Sequence, residues 1–91
     1  MGPVHRDGVA DRVILEFSPT DEQTADALRA GSYRRYLKRT RKGPLHIDDE
    51  WREFVSCGCG STRDVVLRVA DFSGGIRLTE ATDIVFKPTP T

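Results

Sequence analysis

Two proline-containing breaks, Ser18-Pro19 and Gly43-Pro44, separate a helical stretch from segments whose apolar residues follow a different rhythm. Before the first break, Val13, Leu15 and Phe17 alternate with Arg12, Ile14 and Glu16, the period of a strand with one strongly apolar face. After it, Ser18 reads as a helix N-cap and Pro19 as the first helical position. Asp21 and Glu22 complement the positive end of the helix dipole, so a helix is predicted from Pro19 to about Ala30.

Helical phase argues against one unbroken helix. At about 100° per residue, Tyr33, Tyr36 and Leu37 share a narrow arc, whereas Leu28 falls among the basic positions that follow. A kink or a Gly31 C-cap resolves the conflict, with a second helix from about Ser32 to Arg41. In that helix Tyr33, Tyr36 and Leu37 face the core, and Gly43-Pro44 ends it.

Beyond residue 44 the pattern is mostly extended. Trp51, Phe54 and Val55 follow Asp48, Asp49 and Glu50 in a window too short for periodicity to decide, and a strand is slightly favoured. Trp51 reads as a core anchor, with Phe54 and Val55 at packing distance. Val65 to Ala70 is rich in β-branched residues, Ser73-Gly74-Gly75 supplies a turn, Ile76 and Leu78 begin another strand, and Ile84, Val85 and Phe86 form the last. The expected fold is α+β: a small antiparallel sheet of about four strands, with one kinked helix or two short helices inserted after the first strand. The domain spans 11–88, between a loose N-terminal arm (1–10) and a short tail (89–91).

Charge is sorted along the chain. Arg34 to Lys42 (RRYLKRTRK) holds six of fourteen basic residues and no acid, although the chain is formally neutral. The remainder has eight Lys and Arg against fourteen Asp and Glu, a formal charge of −6. Arg34, Arg35, Lys38, Arg39, Arg41 and Lys42 therefore form a cationic face suited to an anionic macromolecule, either an acidic protein surface or nucleic acid. The bland alternative is a solvated face whose cations pair with carboxylates of the same fold. No helix-turn-helix, zinc-finger or RNA-recognition signature accompanies the patch, which argues against base-specific readout.

At 91 residues the chain has room for one domain with a small core, and a deep catalytic cleft is hard to fit. No catalytic set is apparent, and a non-enzymatic role is expected. His46 beside Asp48, Asp49 and Glu50 reads as a polar loop rather than acid–base equipment. Cys57-Gly58-Cys59 is a flexible connection with reduced thiols; the alternatives are redox exchange or zinc, for which His46, Asp48, Asp49 or His5 would have to complete the ligand set. Neither a metal nor another cofactor is expected. No apolar run approaches the length of a bilayer span, and MGPVHRDGVADR lacks the hydrophobic stretch of a signal peptide, so a cytoplasmic protein is expected. Eleven Arg against three Lys fits a GC-rich bacterial source. Oligomeric state stays open, a homodimer included.

From Trp51 to Pro88 the order of features resembles the small BldB-like actinobacterial domains found beside helix-turn-helix regulators. The features are Trp51, the Ser/Gly/Cys-rich Ser56 to Gly60, Val69-Ala70-Asp71, the Gly74-Gly75 turn and Val85-Phe86 before Pro88. Where that family continues into an Arg-Asp-Ser-Lys stretch and a Trp-containing helix, this chain has Thr79-Glu80-Ala81-Thr82. The resemblance implies a self-associating, non-enzymatic partner of a DNA-binding regulator.

Overall fold

The computed structural model describes residues 8–56, 60 and 62–90. Strand β1 (Ala10–Ser18) leads into helices α1 (Glu22–Arg29) and α2 (Gly31–Thr40), followed by β2 (Gly43–Pro44), β3 (Glu50–Ser56), β4 (Thr62–Gly74), β5 (Arg77–Leu78) and β6 (Asp83–Pro88). The fold is α+β. Its main sheet has the order β3-β4-β1-β6, and β2 pairs with β5 in a separate two-stranded ribbon.

Strict alternation builds the sheet's inner face. Val13, Leu15 and Phe17 of β1, Val65, Leu67 and Val69 of β4, Trp51 and Val55 of β3 and Ile84 of β6 are all buried, together with Leu28 of α1 and Leu37 of α2. Helix α1 reaches both outer strands, β3 and β6, so the helices form one layer across this face. The opposite face carries Arg12, Glu16, Arg68 and Lys87, with no second layer on it among the described residues. Phe54, expected beside Trp51 in the core, lies on this open face and is 66% exposed, because a strand turns adjacent residues to opposite sides.

The helical insert starts later than its sequence suggests. Ser18 ends β1 instead of capping a helix, and the N-cap is Asp21, whose carboxylate accepts from the Thr24 backbone N–H (3.3 Å) and hydroxyl (2.8 Å). Arg63 of β4 donates to the same carboxylate at 2.8 Å, so the cap is also a tie to the sheet. Two helices are present, one of the two arrangements that the phase of Leu28 allows. The break is at Ala30, extended at φ −61° and ψ 130°, and Gly31 begins α2 rather than capping α1.

The main sheet is mixed, not antiparallel throughout. Strand β4 is antiparallel to both β3 and β1, but β6 runs parallel to β1, with Arg12 opposite Asp83 and Leu15 opposite Phe86. The reason lies in the 75–82 segment, which returns the chain to the start of β1 before β6 begins. The buried Thr82 hydroxyl donates to the Ala10 carbonyl at 2.8 Å and accepts the Thr79 N–H at 3.1 Å. Gly75 passes so close to Gly8 that a Cβ would come within 1.8 Å of the Gly8 carbonyl oxygen, a contact no side chain can occupy. Gly8, Val9 and Ala10, placed by sequence in the N-terminal arm, are thereby held: Gly8 and Val9 carbonyls accept from Arg77 and Gly75, and Ala10 is fully buried.

Candidate binding surface along the second helix

Helix α2 presents its cations in three directions. Arg35, Arg39 and Lys42 are exposed to solvent and Lys38 is half-buried, its Nζ donating to the Glu80 carbonyl at 3.3 Å. Arg34 is half-buried against β6, its guanidinium carbon 5.9 Å from the centre of the Phe86 ring. Arg41 turns the other way, onto β3.

Arg41 is the one member of the six with a carboxylate partner among the described residues. Its Nε donates to Glu53 Oε2 at 2.7 Å and its Nη2 lies 2.6 Å from the same oxygen, while the guanidinium carbon sits 5.4 Å from the centre of the Trp51 ring. Tyr36 donates its hydroxyl to Glu53 Oε1 at 3.1 Å. Glu53 occupies an inward strand position, its side chain only 6% exposed, and a carboxylate buried there is costly without hydrogen-bond and ion-pair partners. Arg41 is thus a structural clamp, not part of a free cationic face. Tyr36, expected in the core, is 45% exposed and contributes its hydroxyl at the rim of that clamp.

The tyrosines feel the buried charge. The hydrogen bond to Glu53, and then the carboxylate's negative charge, push the Tyr36 hydroxyl above its ordinary range. Burial dominates at Tyr33, with Glu53 adding to it, and raises that phenol well beyond the ordinary value. The rings sit 5.5 Å apart.

Sequence reasoning missed Glu53. Its signal was present: in a strand carrying Trp51 and Val55 inward, residue 53 shares their face, and a carboxylate there requires a cation. His46 is exposed, and Asp48 beside it pairs with Arg68, which also holds Glu16 on the open sheet face. Among the described residues, no three His, Cys, Asp or Glu side chains are grouped to hold a metal ion. Cys57, Cys59 and His5 lie outside the described residues.

Two cavities follow α2 along its seam with the 80–88 segment. One, of about 540 Å³, lies between the helices and β6, floored by Phe17 and Ile84 and edged by Arg29, Arg34 and Phe86. The other, of about 250 Å³, is bounded by Arg35, Lys38, Arg39 and Glu80.

Fold and surface together define a two-layer α+β protein with a cationic helix beside an edge strand. Residues 4–91 match the model of a family of unknown function, DUF7968, and the chain belongs to that family. No curated protein and no solved structure matches it. No helix among the described residues is long and apolar enough to cross a membrane.

Proposed function

We propose that this chain is a non-enzymatic interaction module that docks on an acidic protein surface through α2. The observation that carries this reading is the distribution of charge partners. Arg34, Arg35, Lys38, Arg39 and Lys42 have no carboxylate within ion-pair distance among the described residues, although acids outnumber bases in the rest of the chain. A cationic helix that leaves nearby acids unused presents an uncompensated field to a partner. The resemblance of residues 51–88 to domains that accompany helix-turn-helix regulators fits a regulatory role, with the sheet as scaffold.

The test is a titration of labelled polyglutamate and of duplex DNA at low and moderate salt. Polyglutamate binding that disappears in the Arg35→Glu/Arg39→Glu variant, with the thermal midpoint unchanged, supports the reading. DNA binding that is tighter than polyglutamate binding and falls with a log–log salt slope of about −4.5 replaces it with a nucleic-acid role, since each of five phosphate contacts releases about 0.9 counterion. Binding to neither removes the surface from consideration.

A further inference from the structure

The seam between α2 and β6 has a direction. Lys38 meets Glu80 and Arg34 meets Phe86, so α2 runs antiparallel to the 80–86 segment and the two cavities lie one after the other along it. Among the described strands β6 pairs with β1 alone, and its other edge is open. An open edge offers backbone donors and acceptors to an added strand.

The larger cavity is prepared for something both apolar and anionic. Phe17 and Ile84 form an apolar floor, and Arg34 carries a buried Nε with no hydrogen-bond partner. That nitrogen is closed off, but the rest of the half-buried guanidinium edges the cavity, where a carboxylate can meet it. Across both cavities five cations (Arg29, Arg34, Arg35, Lys38 and Arg39) face three carboxylates (Glu22, Glu80 and Asp83), so the groove favours negative charge. At about 540 Å³ the first cavity has the size of a site for one or two large side chains.

We infer that this groove takes an extended acidic segment of the partner protein, added alongside β6, with one apolar side chain and acidic side chains at every second position, all on the same face of the added strand. The inference rests on the acidic-surface reading of α2 and names the form the partner takes there. In an added strand every second side chain points the same way, about 6.6 Å apart, which lets one apolar side chain seat on Phe17 and Ile84. Carboxylates of the same segment then reach Arg34 and, farther along, Arg35 and Arg39.

Two peptides of equal net charge separate this inference from its parent: one with a leucine and aspartates at every second position (Leu-Ser-Asp-Ser-Asp), the other polyglutamate. The leucine-containing peptide is expected to bind about tenfold more tightly, the increment of one buried apolar anchor. Arg34→Gln should erase that advantage while weakening polyglutamate only as the loss of one cation among five, and the β6 amides should gain exchange protection in the complex. Equal affinities for the two peptides, or an advantage that survives Arg34→Gln, would overturn the groove while α2 keeps its role if Arg35→Glu/Arg39→Glu abolishes both. If neither peptide binds, the acidic-surface reading fails as well.

Discussion

Arg41 and Glu53 meet across the seam between α2 and β3, and their contact fixes which cations of the helix are free. Glu53 is buried with its charge matched by one guanidinium and one phenol, and Arg41 is held between that carboxylate and the Trp51 ring. A helix face that looks uniformly basic in sequence is therefore divided into one clamp and five available cations.

Removing one partner of this pair leaves a buried charge uncompensated. Arg41→Ala is expected to cost about 3 kcal/mol, the low end for buried pairs because Arg41 is one-third exposed. Glu53→Gln keeps an acceptor for Tyr36 and should cost less. Urea unfolding of both variants checks the order; equal stability with the parent protein would show that the clamp does not stabilise the fold.

Alkali should weaken the same corner. Both Tyr33 and Tyr36 have their folded-state pKa raised, so the stability tied to their neutral forms is complete below the ordinary phenol value of about 10 and is lost as pH rises through the folded value. Phenolate absorbance should show these two hydroxyls ionising later in native than in denatured protein. Tyr36→Phe should flatten the fall in stability above about pH 10. An unchanged alkaline limb would place the effect elsewhere.

Thr82 supplies a third test, at the point where the chain re-enters the sheet. Thr82→Val keeps the shape but leaves the Ala10 carbonyl and the Thr79 N–H without their partner. The loss should be about 1–3 kcal/mol, read as a lower thermal midpoint. A thermal midpoint matching that of the parent protein would mean that the two groups find other partners.

The elements of this fold were legible wherever one face decides. Val13, Leu15 and Phe17 announce β1 by alternation, and the phase of Leu28 against the arginines announces a break in the helical stretch. What sequence could not show is reciprocity at long range. Asp21 is the cap because Thr24 and the distant Arg63 both bond it, while Ser18 looked the better candidate locally. Arg41 resembles its neighbours until Glu53 is placed opposite. The direction of β6 depends on Thr82 finding Ala10, a contact that residue types alone do not encode.

The central position of β1 has a consequence for how the protein comes to be folded. Its two neighbours are the fourth and sixth strands, with Ala10 opposite Gly74 and Arg12 opposite Asp83. The helices and the β3–β4 pair close on local contacts, but β1 finds a partner only after most of the described chain is present. Pairings so distant in sequence slow the search, and refolding on the order of milliseconds to seconds is expected. On a ribosome β1, synthesised ahead of the other strands of this fold, would wait longest with its apolar side uncovered, the interval in which a nascent chain is most exposed to misassociation.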